Sequence, residues 1–317
     1  MARPTVALPI VAACAVLSWG TVARARDPEE PLETELEGEE SPAHEHEHHP
    51  LALGLDFVLG FGGVYGIVDS AEPGNLLLDP DPIAVNCQSF VVSAGYEIAE
   101  RIGVGARLPL TFGTVPRLED GTTHGTFALG NVELEGELEI ELSETVALEL
   151  SLGVALPTAQ GAEEGLSEDE SDIDHLVLNE IAAASRGYED NALFEVDRLG
   201  IIPKVALHLH AGAALVEPWL KLENLIATNS ELERGYVAEL VVGTFAGAEL
   251  NEHYDLGARV WLSTAFLDEV ETTLVAEPRL RAHYGQVDLL LGGILPFAGE
   301  LTDPWFGGVR LGIVGRI

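Results

Sequence analysis

Basic side chains are scarce in this chain: 16 Lys and Arg stand against 53 Asp and Glu, a formal net charge of −37 over 317 residues. A nucleic-acid partner is therefore excluded, because proteins that bind nucleic acid need Lys and Arg to neutralise phosphates. Yet 47% of the residues are hydrophobic and the mean hydropathy is +0.19. So much apolar surface beside so much charge indicates that the two are segregated, either along the chain or between the faces of its elements.

Cysteine and methionine are almost absent. The chain has two cysteines, Cys14 and Cys87, and one methionine, Met1. Because Cys14 lies in a candidate leader, a disulfide framework and a multi-cysteine zinc site are both excluded. The lack of methionine after the first residue speaks against a protein that handles Cu(I).

Long apolar runs are missing as well. After residue 25 no uninterrupted run approaches the roughly 18–20 residues of a membrane-spanning helix, which excludes a helical membrane protein. Residues 1–25 instead predict a secretory signal peptide, with Arg3 before the apolar stretch Val6–Trp19 and a small-residue cleavage site ending at Ala25. The residues before Cys14 also resemble a lipidation motif, so cleavage after Ala25 and lipidation at Cys14 are the two alternatives.

Residues 26–50 are rich in Glu, Pro and His and hold too few apolar residues to bury a core, which predicts a disordered acidic tail in the periplasm. The tail ends in a histidine cluster made of His44, His46, His48 and His49. Alternating His and Glu can bind Zn²⁺, Ni²⁺ or Cu²⁺ weakly, so the cluster is a candidate metal site. A solvated tether is the favoured alternative, and no other cofactor is expected.

From Leu51 onward apolar residues recur at every second position, which is the period of a strand with two different faces. The clearest case is NVELEGELEIEL, residues 131–142, where Val, Leu and Ile share one face and five glutamates share the other. Most such runs reach the length of about ten residues that a tilted strand needs to cross a bilayer. Twelve runs are predicted: 51–65, 88–98, 101–113, 126–142, 145–156, 201–211, 217–227, 236–248, 254–266, 271–283, 286–297 and 305–317.

The connections between these runs alternate between short and long, as in outer-membrane barrels, which have short periplasmic turns and longer extracellular loops. Aromatic residues also fall near the strand ends, where membrane–water boundaries lie; Trp219 is assigned to the lipid face near a periplasmic end. The sequence therefore predicts an all-β protein: a transmembrane antiparallel up-and-down β-barrel of about 12 strands over residues 51–317, with a long extracellular loop at 157–200. The expected surroundings are bacterial outer-membrane lipid, reached through the barrel-insertion machinery.

The polar face of the runs would line the barrel lumen. The predicted lining consists of Glu133, Glu135, Glu137, Glu139, Glu141, Arg101, Arg107, Arg259, Arg279, Arg281 and Arg310. Ladders of Arg and Glu across the wall are expected, because unpaired charges in a narrow lumen would be costly. Two interpretations stay open: a salt-bridged interior that conducts little, and an aqueous pore that selects solutes by its charges. In loop 157–200, residues 173–184 predict a short helix that either folds into the bore or lies over its mouth.

Catalytic signals are absent from the sequence. It contains no G-x-S-x-G elbow, no H-E-x-x-H helix and no P-loop. The run of five glutamates is better explained as wall lining than as a paired-carboxylate active site. The chain is therefore predicted not to be an enzyme.

One stretch resembles a known family. LGNVELEGELEIELSETVALELSLGVALPTAQG, residues 129–161, is similar to the repeated strand, turn and L-G-x-x-L-P-T-G strand of proteobacterial outer-membrane transporters grouped as the MetA-pathway phenol-degradation family. Asn131 stands where the family usually has Asp. The resemblance implies a barrel that takes up small, often aromatic or hydrophobic compounds.

The leading hypothesis is thus an outer-membrane channel or transporter that passes small solutes, with wall charges setting selectivity and loop 157–200 gating or filtering. The alternative is a closed structural or binding barrel that displays acidic extracellular loops.

Overall fold

In the computed structural model, the described residues are 51–64, 67–69, 76–78, 82–116, 122–161, 170–230, 232, 234–266, 270–299, 301–302 and 305–317. The predicted signal peptide and the predicted tail with its histidine cluster lie outside the described residues. Within the described part, no helix combines the length and the apolar character needed to cross a membrane.

Fifteen strands and one α-helix follow one another along the described residues. The strands are β1 (Leu51–Val64), β2 (Ile67–Asp69), β3 (Leu76–Leu78), β4 (Ile83–Ala99), β5 (Ile102–Pro116), β6 (Thr123–Leu129), β7 (Glu133–Ser143), β8 (Val146–Ala155), β9 (Arg198–Ala211), β10 (Ala214–Ala227), β11 (Tyr236–Asn251), β12 (Tyr254–Phe266), β13 (Val270–Tyr284), β14 (Val287–Ala298) and β15 (Phe306–Arg316). Helix α1 (Glu170–Ser185) lies between β8 and β9, and a 3₁₀ turn (Asn191–Leu193) follows it. Strands β2 and β3 pair with each other in a separate two-stranded sheet.

The remaining strands form one closed antiparallel sheet. Apart from β6 and β7, each pairs with its neighbour in sequence, and β1 closes the circle by pairing with both β4 and β15. Strands β6 and β7 share one wall position, because β5 pairs with β6 through Leu110–Pro116 and with β7 through Ile102–Arg107. The predicted 12-stranded barrel is therefore confirmed, with one wall strand split in two.

The two rims differ as the sequence predicts. Two-residue turns at 100–101, 144–145, 212–213, 252–253 and 285–286 join strands at one rim, called here the turn rim. Longer connections join strands at the other, the loop rim. Leu51 and Arg316, the outer ends of the first and last strands, both lie at the turn rim.

Large apolar side chains cover the outside of the wall. The alternation is plain in β1, where Leu53, Leu55, Leu59 and Phe61 are exposed whereas Asp56 and Val58 are buried. The same pattern recurs across neighbouring strands: Leu291 pairs with Leu280 and Leu311, and all three are exposed. A closed barrel with an apolar outer face has lipid as its surroundings.

A charge placed on this face should be destabilising at mid-height and tolerated near a rim. We expect Leu291→Arg, near the middle of β14, to lower the free energy of unfolding in lipid vesicles by roughly 2–4 kcal/mol. The matched control is Leu250→Arg beside the turn at 252–253, for which about 0–1 kcal/mol is expected. Urea titration monitored by tryptophan fluorescence measures both, and equal costs at the two positions would contradict a membrane-spanning wall.

Candidate functional site

Helix α1 runs along the inside of the wall. Its residues Leu178, Ile181 and Ala184 bury against inward side chains that include Val115 and Phe306. Two glycines make the close approach possible. A Cβ added to Gly60 would collide with Ser185, and one added to Gly113 would lie 2.8 Å from Cδ1 of Leu178. The predicted helix therefore exists, and of its two predicted locations it adopts the one inside the bore.

After the helix, residues 186–197 cross the barrel interior and are called here the lumen segment. Most of its side chains are buried, among them Arg186, Glu189, Asp190 and Asn191. Gly187 starts the crossing with a φ of +67°. A Cβ there would lie 2.7 Å from the ring of Trp261, whose indole N–H donates to the Gly187 carbonyl at 2.9 Å.

Two neighbouring carboxylates of the lumen segment meet cations from several strands. Glu189 Oε2 accepts hydrogen bonds from Arg259 Nη1 at 2.9 Å and from Arg310 Nη1 at 3.1 Å, and a second nitrogen of Arg259 contacts Glu189 Oε1. Asp190 lies 3.0 Å from Arg107 Nη2 and 3.6 Å from Lys221 Nζ. The cations come from β5, β10, β12 and β15, so they surround the pair of carboxylates.

These cations keep both carboxyl groups ionised. Burial by itself would raise the pKa of Glu189, but the guanidinium groups of Arg259 and Arg310 outweigh it and hold that pKa below its usual range. For Asp190 the opposing cations are Arg107 and Lys221, and they hold its pKa well below the usual range. The lumen segment therefore presents two adjacent negative charges to the wall at neutral pH.

The flanking parts of the lumen segment meet wall groups of the opposite kind. Arg186 pairs with Asp56, which also accepts two hydrogen bonds from Arg310. Further along, the side-chain amide of Asn191 donates to Glu239 Oε1 at 2.7 Å, and the Ala192 N–H donates to Glu223 Oε2 at 2.7 Å. Both the charges and the backbone of the lumen segment are thus matched by the wall.

Asn131 joins the lumen segment to the break between β6 and β7. Its side-chain NH₂ donates to the carbonyls of Ala192 at 2.9 Å and Glu195 at 2.6 Å. Its side-chain oxygen accepts from the N–H groups of Thr158 and Ala159. An ionised Asp could accept from those N–H groups but could not donate to the two carbonyls, so this site requires the amide.

The predicted lining residues differ in exposure: some are buried in the lumen, some are partly exposed, and two lie at the turn rim. Arg259, Arg279 and Arg310 are buried in the lumen, and Arg107 is partly buried beside Glu133, which is buried. Arg281 lies 3.6 Å from Glu217, while Glu135, Glu137 and Glu139 are partly exposed on β7 between the buried level and the turn rim. Arg101 and Glu141 pair with each other at the turn rim with side chains 52% and 47% exposed.

The sequence assignment of Trp219 is wrong. Trp219 was expected to face lipid, but it is 3% exposed and points inward with Lys221 on the same face of β10. Its ring lies 5.5 Å from the guanidinium carbon of Arg259, and the ring of Trp261 lies 5.3 Å from the same atom. Both indole rings therefore make cation–π contacts with this guanidinium and help to fix its direction.

A small cavity lies between the lumen segment and the wall. It has a volume of about 50 Å³ and is bordered by residues that include Arg107, Glu135, Asp190, Lys204 and Lys221. This volume holds roughly three or four water molecules. Among the described residues, no cluster of three or more His, Cys, Asp or Glu could hold a metal ion.

A closed sheet of this size, an apolar outside and a charged inside define the class of the protein: a bacterial outer-membrane β-barrel. An outer-membrane channel from Pseudomonas putida F1 shares this fold, with 13% identity and a TM-score of 0.58 over 88% of this chain and 100% of that one. The outer-membrane transporter barrel indicated by residues 129–161 is thereby confirmed as a fold.

Two further solved structures are more distant. The translocator domain of the autotransporter NalP from Neisseria meningitidis is 12% identical, with a TM-score of 0.44 over 86% of this chain and 90% of that one. The CymD monoaromatic hydrocarbon channel is 10% identical, with a TM-score of 0.38 over 84% and 88%. No family model matches the chain, and no curated protein does.

Proposed function

We propose that the protein is an outer-membrane channel for small solutes whose bore is closed by the lumen segment and opens when that segment moves. The observation that carries this proposal is the polar character of the closure. The segment is held by ion pairs and hydrogen bonds to a charged wall. Apolar side chains packed in the same volume would be at least as stable as buried ion pairs, so the charges favour a role other than stability.

The wall keeps its own charge pairs, which supports reversible opening. Arg107 and Glu133 lie 3.2 Å apart, Lys221 and Glu223 lie 2.7 Å apart, Arg279 and Glu277 lie 2.6 Å apart, and Arg310 and Asp56 lie 2.8 Å apart. Each pair joins two wall residues, so it survives when the lumen segment leaves. Water can then replace the segment without leaving a buried charge alone.

The glutamates of β7 would set the selectivity of the path toward the turn rim. We expect the triple variant Glu135→Gln, Glu137→Gln and Glu139→Gln to shift the reversal potential in a salt gradient toward anions, because it removes negative charge from one wall. Planar-bilayer recording measures this shift. The matched control is Glu141→Gln at the exposed rim, and an unchanged reversal potential in the triple variant would show that these glutamates are not the filter.

The runner-up function is a closed structural or binding barrel, which the filled lumen itself favours. Enzymatic activity is not part of either proposal. We further propose that the barrel-insertion machinery recognises β15 and that residues 26–50 lie in the periplasm, where the histidine cluster binds a divalent metal weakly at most. Single-channel conductance of a variant with residues 187–195 replaced by a glycine–serine segment separates the two functions.

A further inference from the structure

The cations around Glu189 and Asp190 each divide their donors between the wall and the bore. Arg107 donates through Nη1 to Glu133 and directs Nη2 toward Asp190. Arg310 donates through Nε and Nη2 to Asp56 and directs Nη1 toward Glu189. In both residues a wall carboxylate orients the guanidinium, and the remaining nitrogen faces the bore.

Arg259 depends most on the lumen segment. Both of its terminal nitrogens contact the Glu189 carboxylate, whereas the wall carboxylate of Glu277 lies 3.7 Å from Nη1. The guanidinium carbon also lies 5.5 Å from the ring centroid of Trp219 and 5.3 Å from that of Trp261. These aromatic contacts orient the Arg259 guanidinium toward the bore without the help of the lumen segment's carboxylates. A guanidinium in this orientation can donate two parallel hydrogen bonds to one carboxylate.

Two carboxylates on adjacent residues, surrounded by four inward-facing cations, have the chemistry of a bound dicarboxylate. The Glu189 carboxylate contacts the guanidinium groups of Arg259 and Arg310, and the Asp190 carboxylate contacts that of Arg107. The Lys221 ammonium lies 3.6 Å from the Asp190 carboxylate and donates to the backbone carbonyl of Glu189. A free dicarboxylate with a short carbon spacer presents the same two charges. Such a solute would satisfy the same donors that the departing lumen segment releases.

We propose that the lumen segment occupies a binding site for small dicarboxylates, with Glu189 and Asp190 in the place of the two carboxylates of the solute. This inference rests on the proposed channel function, because the solute reaches the site only when the lumen segment moves. Arg259 is the central recognition residue, and Arg107, Arg310 and Lys221 complete the site. The segment is then a tethered competitor of the solute.

The test is a binding measurement, so it does not depend on conduction. The double variant Glu189→Gln and Asp190→Asn keeps the size of both side chains but removes the charges that compete for the cations. In detergent micelles at constant ionic strength, succinate should cause a saturable change in the tryptophan fluorescence of the double variant, through Trp219 and Trp261. Acetate should require at least about tenfold higher concentration, because it supplies one carboxylate in place of two. Wild-type protein should bind succinate at least about tenfold more weakly than the double variant, since its own carboxylates compete.

Adding Arg259→Gln to the double variant should abolish the succinate response, whereas adding Arg101→Gln at the turn rim should leave it intact. Heat-modifiable gel mobility checks that each variant is folded. If the double variant does not fold, a variant with residues 187–195 replaced by an equal-length glycine–serine segment takes its place.

An equal response to succinate and acetate, no response in the folded variant, or a response that survives Arg259→Gln would each overturn the dicarboxylate site. Conductance is recorded on the same samples. Saturable succinate binding without any conductance would refute the channel function but support the dicarboxylate site. Conductance without succinate binding would support the channel function and refute the dicarboxylate site.

Discussion

Replacing residues 187–195 by an equal-length glycine–serine segment should increase single-channel conductance by roughly tenfold or more. The replacement removes Glu189, Asp190 and Asn191, through which the lumen segment is anchored to the wall. The wall pairs, such as Arg107 with Glu133, remain in place. Water should therefore fill the volume that the segment occupied, and the wall should stay closed around it. Planar-bilayer recording of purified, folded protein measures the change.

The control for this experiment leaves the lumen untouched. Arg101→Gln combined with Glu141→Gln removes an ion pair at the exposed turn rim and should conduct like the wild-type protein. If the glycine–serine variant is folded and its bilayers stay silent, the barrel is closed whatever the state of the lumen segment. That result would favour the structural or binding barrel over the channel.

Arg310→Met should be the most destabilising of the substitutions considered, at about 3–5 kcal/mol of unfolding free energy. Arg310 contacts Asp56 on β1 and Glu189 in the lumen segment, and all three side chains are buried. Removing the guanidinium leaves Asp56 with Arg186 and Glu189 with Arg259 as their remaining cationic partners, where water has little access. Methionine fills much of the vacated volume, so the loss reports charge more than packing.

The matched control is Arg101→Met, whose partner Glu141 is half exposed and whose cost should stay within about 1 kcal/mol. Urea unfolding in lipid vesicles, followed by tryptophan fluorescence, gives both values. A cost for Arg310→Met as small as that of the control would mean that water already solvates Asp56 and Glu189, and the lumen would then be wetter than its geometry indicates.

The wall could be predicted from the sequence because apolar and polar residues alternate along a strand that lies between lipid and a polar lumen. Each of the twelve predicted runs corresponds to one wall position, and phase alone directs Arg259 and Arg310 inward. The lipid-facing assignment of Trp219 was wrong because it took the wrong phase for this strand. Lys221 and Glu223, two and four positions further on, already fix its face as the inner one.

The lumen segment could not be predicted in the same way. Residues 186–197 carry no repeat that would direct Glu189 or Asp190, and their cationic partners lie on strands distant in sequence. The split of residues 126–142 into β6 and β7 could not be predicted either, because it depends on how the lumen segment packs against the wall. A Cβ at Gly130 would collide with the carbonyl of Leu193, so the wall bends at the point where the segment packs against it. One residue of the sequence takes part in this packing: Asn131 supplies the NH₂ group that donates to the segment's carbonyls.

The contact between Asp56 and Arg310 also bears on how the barrel assembles. These residues are 254 positions apart and lie on β1 and β15, the strands that meet when the sheet closes. Arg310 is also a partner of Glu189, which precedes the last seven wall strands in synthesis. An assembling chain gains this three-way contact only when its final strand meets its first with the lumen segment already inside. Pairing of β1 with β15 is thereby linked to entry of the lumen segment into the barrel. A barrel that closes before the segment enters lacks the contact between Arg310 and Glu189.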